Sequence, residues 1–149
     1  MEPTSDIKHL ACLVMRFNGL LNVQLIGDVM ALLREADLSL PRLVTLSYLH
    51  RTDSASISQI GDHLGLAMAT TSHLVDQLVQ GGYVERREAE QDRRHKTVSI
   101  TDQGRDVVVR FYEIRINDAS QQLHRLPPDL VQRLSTLLEE AIAALQPHP

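Results

Sequence analysis

Between Asp6 and Arg34 apolar residues return every three or four positions, at Ile7, Leu10, Val14, Phe17, Leu21 and Leu25, the spacing that lines one face of an α-helix. The pattern predicts one long first helix. Further apolar residues, Leu13, Leu20, Val29, Leu32 and Leu33, widen the stripe beyond what one small core requires. Either this helix runs through the centre of the core or a partner covers its second surface. Leu38-Ser39-Leu40-Pro41 interrupts the pattern. Pro41 has the fixed φ of a first helical turn and lacks only a donor that would be unpaired there. A second helix is therefore expected, capped by Ser39 or Leu40, carrying Leu43, Leu46 and Leu49 and ending near Arg51-Thr52-Asp53.

Ser56 and Gln59 have the capping-box spacing, which predicts a short helix over Ile57 to Leu64, closed by Gly65 as a left-handed cap. A fourth helix runs from about Ala67 and stops at Gly81-Gly82, where glycine takes positive φ without steric cost. Two short helices joined by a tight glycine-containing turn make a helix-turn-helix candidate. Tyr83 to Arg87 and His95 to Ile100 read as two strands of a hairpin whose tip, Glu88 to Arg94, is polar. Thr101 caps a long helix carrying Val107, Val108, Phe111, Ile114 and Leu123, with Asp102 at its positive end. Leu126-Pro127-Pro128-Asp129 breaks the chain again before a last helix with Leu130, Leu134, Leu137, Leu138, Ala141 and Leu145. The fold class is mainly α with a small β-hairpin wing.

Composition narrows what this architecture does. The 149 residues suit one domain. A net charge of −4 argues against a generally basic coat for nucleic acid, so binding to DNA would need a local patch. Aromatic residues are scarce, with no Trp, two Phe and three Tyr, which disfavours the stacking platforms that hold single strands and leaves duplex as the better partner. The single cysteine forms no intrachain disulfide and suits a reducing compartment. No apolar run approaches a membrane span and the start does not read as a secretory signal, so the expectation is a cytoplasmic protein. No phosphate loop, nucleophile elbow or paired-carboxylate arrangement is visible, so the chain is not read as an enzyme and no cofactor is expected.

The chemistry sits on the fourth helix and the hairpin. The helical period assigns Thr71, Leu74, Val75 and Leu78 to the packed face and leaves Thr70, Ser72, His73, Asp76 and Gln77 outside. Short hydroxyls near a helix start followed by longer polar side chains suit insertion into a major groove, where Gln can pair with adenine, although a polar outer face is also what any solvated helix shows. Asp92-Arg93-Arg94-His95-Lys96 concentrates cations on a segment, Tyr83 to Ser99, whose net charge is only about +1. Such a pointed charge suits a wing placing an Arg in the minor groove, while a solvated, salt-bridged hairpin has the same composition.

The order of these stretches, Ile60 to Leu66, Thr70 to Val84 and Asp92 to Gly104, resembles the MarR (multiple antibiotic resistance regulator) family of winged helix-turn-helix regulators. The resemblance implies a single domain, 1–149, in which 1–38 and 102–149 supply dimerisation helices and 39–101 form the DNA-binding lobe. It implies a homodimeric transcriptional regulator, by family habit a repressor, bound to a short pseudo-palindrome with half-sites roughly 34 Å apart. The implied DNA contacts are Thr70, Ser72, His73 and Gln77 on the recognition helix and Arg86, Arg93, Arg94 and Lys96 on the wing, with Asp92 bracing the tip. Family members often carry Arg where this chain has His73 and Gln77, so fewer guanine contacts are expected. A small anionic or phenolic effector is implied, near Arg16, Phe17, Leu43, Ser47, Tyr48 and His50. Cys12 lies where peroxide-sensing relatives carry a reactive thiol, but the tyrosines of those sensors are missing, and a buried, inert thiol is the favoured reading. His9 and Cys12 make at most half a zinc site, so no metal is expected. The alternative to DNA binding is a winged-helix module for protein interaction, favoured by the acidic balance and opposed by Arg93, Arg94 and Lys96.

Overall fold

The single helix expected over residues 6–34 is two helices in the computed structural model, which describes residues 5–89 and 92–146, with side chains described for 5–87 and 97–146. Helix α1 spans Ser5–Leu21 and α2 spans Leu25–Glu35. At the break the Asn22 side-chain amide donates to the Asn18 carbonyl at 2.6 Å, closing the end of α1. The first N–H groups of a helix have no partner within it. Here the backbone N–H groups of Gln24 and Leu25 donate to Asp118 Oδ2 at 3.3 and 3.0 Å, and a carboxylate at a helix N-terminus is also favoured by the helix dipole. Asp118 is buried and lies more than ninety residues away along the chain. The apolar spacing on either side gives no sign of the break.

Helix α3 (Leu40–Thr52) begins as Pro41 predicts, although the extended Ser39 at its N-cap makes no side-chain capping bond. Strand β1 (Ser54–Ser56) follows, then α4 (Ile57–Leu64), α5 (Met68–Gln80), β2 (Val84–Ala89), β3 (Asp92–Ile100), α6 (Asp102–Leu123) and α7 (Pro128–Leu145). The strands form an antiparallel sheet in the order β1-β3-β2. The register sets Ala55 opposite Val98 and Val84 opposite Ile100, which puts all four on the buried side. Strand β1 was read from sequence as loop and helix cap, because three residues with one inward side chain leave no alternation to detect. At the end of α5 the positive φ falls on Gly82 alone, at 76°, and Gly81 stays in the right-handed helical region.

The chain divides into two compact units, Gly27–Ile114 and the combination of Met1–Ile26 with Arg115–Pro149. The first has a conventional core: Leu43, Leu46 and Leu49 of α3, Ile60 of α4, Val75 and Leu78 of α5, Val98 of β3 and Val108 of α6 are all under 2% exposed. Each fully buried side chain of this size contributes about 1.5–3 kcal/mol against the entropy of ordering. In the second unit neither α1 nor α7 has a buried residue. Leu10 is 59% exposed, Val14 57%, Leu130 37% and Leu137 62%, and on each helix they fall at spacings that share a face.

Within the first unit, Arg110 forks onto Glu35, donating to Oε1 at 3.1 Å and Oε2 at 2.7 Å. The hydrogen bonds from Arg110, and then its charge, hold the Glu35 carboxyl below its ordinary value. A carboxylate depressed in the folded state stabilises the fold above its unfolded pKa, about 4.3 for Glu, and loses that contribution as pH falls through the folded value. Glu35→Gln is expected to lower the urea midpoint relative to the parent at pH 7, with the difference shrinking as pH falls below the ordinary Glu value of about 4.3 and in high salt because both groups are exposed. A pH-independent difference would assign the effect to packing instead.

Candidate DNA interface

The helix-turn-helix is built by local chemistry. The Ser56 hydroxyl accepts from Gln59 N–H at 3.2 Å while Gln59 Oε1 accepts from Ser56 N–H at 2.8 Å, a reciprocal cap that stabilises α4 by about 1 kcal/mol. Gly65 ends α4 at φ 66°, a left-handed conformation that glycine adopts without strain. Leu66 N–H then reaches back to the Gly61 carbonyl at 2.9 Å, turning the chain toward α5. At Gly61 a β-carbon would lie 3.0 Å from Thr71 Oγ1 and 3.1 Å from the Leu66 carbonyl oxygen, so a side chain there would have to push its neighbours aside by a few tenths of an ångström. Thr71 is fully buried there, its hydroxyl donating to the Ala67 carbonyl at 3.0 Å.

The packed face of α5 is the expected one: Thr71, Leu74, Val75 and Leu78 are buried. Of the outer residues, Thr70 and His73 are exposed, whereas Ser72, Asp76 and Gln77 are half-buried. Two of these have partners from other elements. Asp76 accepts from Arg86 of β2 at 2.5 Å, and Gln77 Oε1 accepts from Arg42 Nη2 of α3 at 2.6 Å. Arg42 was missed by the sequence reading, because nothing in the first turn of α3 marks a residue that reaches α5.

On the wing, Arg86 is thus engaged with the recognition helix, and Arg87 pairs with Glu85 of its own strand. The backbone register sets Glu88 opposite Lys96. The side chains of Arg93, Arg94 and Lys96, and of Asp92 beside them, lie outside the described residues. The wing is anchored at its base by Thr101, whose hydroxyl donates to the Gly82 carbonyl at 2.7 Å and accepts from Gly104 N–H at 3.2 Å, capping α6.

The residues expected around an effector fall in both units. Leu43 is a core residue of the Gly27–Ile114 unit, 1% exposed. Ser47, Tyr48 and His50 in the same unit are half-buried, with Tyr48 stacked on His63 at 4.2 Å between ring centroids and His50 tilted against Tyr112 at 6.4 Å. In the other unit Arg16 is exposed, and Phe17 lines a cleft of about 410 Å³ with Leu20, Leu21, Val23 and Leu123. Cys12 is exposed on α1, which corrects the expectation of a buried thiol. With no helix residue of α1 buried in the single chain, an apolar stripe alone does not bury the side chains on it.

Residues 38–96, which contain the whole helix-turn-helix and most of the wing, match the profile of the MarR family. Over these residues the chain is similar to the MarR family. It is also 28% identical over 104 residues to the HTH-type transcriptional regulator YfiV of Bacillus subtilis, covering 70% of this chain and 64% of that one. It is 30% identical over 108 residues to the HTH-type transcriptional repressor IacR of Pseudomonas putida, covering 72% and 65%. The chain thus spans somewhat under two thirds of the length of these relatives. The fold is shared with a transcriptional regulator of Thermotoga maritima, at a TM-score of 0.76 and 19% identity over 96% of this chain and 95% of that one. It is shared too with S. aureus MepR, crystallised in complex with DNA, at a TM-score of 0.68 and 22% identity over 84% and 94%.

The crossing of α4 over α5 makes a specific demand on this lobe. Gly61→Val is expected to cost about 1–3 kcal/mol through overpacking, read as a lower urea midpoint with unchanged slope. A variant as stable as the parent would show that the two helices separate without cost.

Proposed function

We propose that this protein is a cytoplasmic transcriptional regulator, acting as a repressor, that binds a short pseudo-palindromic duplex as a homodimer and is released by a small anionic or phenolic effector. The observation that carries the reading is the helix-turn-helix itself. Its second helix packs closely on the first at Gly61, with Thr70 and His73 exposed on the outer face and Asp76 paired with Arg86 of the wing hairpin. Ser72 and Gln77 complete the candidate groove contacts, and Arg86, Arg93, Arg94 and Lys96 those of the wing. The domain reading assigns 39–101 to the DNA-binding lobe and 1–38 with 102–149 to dimerisation. The exposed apolar faces of α1 and α7 support the dimer, since contiguous apolar surface rimmed by polar residues marks association, and a two-fold dimer makes each such face its own complement. The repressor IacR, at 30% identity, supports the sign of regulation.

The experiment is selection of random duplexes by the purified protein at near-physiological salt, followed by sequencing. Enrichment of a two-fold symmetric site with half-sites about one helical turn apart is expected. A stable dimer that enriches nothing would support the protein-interaction module instead, which the internal pairing of Arg86 and Arg87 with carboxylates favours. On the enriched site, Arg94→Ala is expected to weaken binding by about 1–3 kcal/mol and to reduce the salt dependence. Unchanged affinity and salt slope would remove Arg94 from the interface. Leu137→Glu, placing charge on the exposed α7 face, is expected to shift the dimer toward monomer in sedimentation. An undisturbed dimer would move the interface off that face.

A further inference from the structure

We infer that Arg42 is a positioning residue for base recognition: it holds Gln77 so that the amide end left for DNA is the NH₂ donor, making the contacted base a keto base, guanine or thymine, rather than adenine or cytosine. This rests on the DNA-binding reading above. Gln77 shares a face of α5 with Thr70 and His73, at spacings of seven and four residues. The atom facing Arg42 must be the amide oxygen, because a guanidinium has donors and no acceptor. The 2.6 Å separation is that of a charge-assisted bond. Arg42 is itself fixed, because its Nη1 also donates to the Asp37 carbonyl at 3.1 Å and its stem starts in the first turn of α3 beside Pro41. Both side chains are half-buried at the edge of a polar hollow of about 400 Å³ that Asp37, Gln80 and Tyr83 also line.

The consequence follows from groove chemistry. A free glutamine reads adenine with both ends of its amide, the oxygen accepting from N6 and the nitrogen donating to N7. One of the oxygen's two lone pairs is committed to Arg42, and with the oxygen drawn toward α3 it no longer lies beside the nitrogen for bidentate pairing. The NH₂ group is matched twice by guanine, at O6 and N7, and by thymine O4; adenine offers it N7 alone beside the opposing N6 amino group, and cytosine N4 offers only a donor.

The test is duplex selection with the parent protein and with Gln77→Ala, Arg42→Met and Gln77→Glu, each checked for folding by circular dichroism. The position at which Gln77→Ala loses discrimination identifies the contacted base pair. There the parent is expected to favour keto over amino bases by roughly tenfold. Arg42→Met frees the amide, and the expectation is that adenine rises to within about twofold of the keto bases while other positions keep their preference. Gln77→Glu keeps an acceptor for Arg42 but removes the donor, and is expected to move the preference to amino bases, which holds the test open even if Arg42→Met does not fold. A parent that prefers adenine at this position, or a Gln77→Glu that keeps the keto preference, would overturn the inference and leave DNA binding standing. A parent that enriches no duplex would overturn both.

Discussion

At Gly61 a β-carbon would come within 3.0 Å of Thr71 Oγ1 and 3.1 Å of the Leu66 carbonyl oxygen, and the placement of α5 depends on that close crossing. Close-packed interiors transmit such constraints over their whole contact area. The polar outer face of α5 is held further by an arginine from a neighbouring element on each of two positions, Arg86 on Asp76 and Arg42 on Gln77.

Charge is used sparingly. The chain is acidic overall, and two of its wing-strand arginines are already engaged with carboxylates of the same lobe. On the proposed DNA-binding function, attraction to a phosphate backbone comes from a few positions and not from the surface at large. This favours discrimination against non-specific binding, because the sequence-independent part of DNA affinity scales with the number of phosphates neutralised.

Much of this was legible in the sequence, where local chemistry decides the outcome. The capping box at Ser56 and Gln59, the left-handed Gly65, the proline-marked starts of α3 and α7 and the buried face of α5 all depend on residues within one or two turns of each other. The features that were not legible depend on partners far along the chain. The break between α1 and α2 is stabilised by Asp118, the burial of Ala55 by a register with Val98, and the orientation of Gln77 by Arg42. Periodicity cannot see such pairs. It also misplaced Cys12, since an apolar stripe predicts that a face will be covered but not by which chain.

The way the chain is divided has a consequence for its synthesis. The Gly27–Ile114 unit is continuous in sequence, whereas the other is assembled from the two ends. On the ribosome, domains fold as their residues emerge, so the lobe that carries the helix-turn-helix can close its core while the C-terminal helices are still unmade. The N–H groups of Gln24 and Leu25 at the start of α2 wait for Asp118 to leave the exit tunnel. The nascent chain therefore passes through a stage in which the helix-turn-helix is formed while the break between α1 and α2 still lacks its carboxylate.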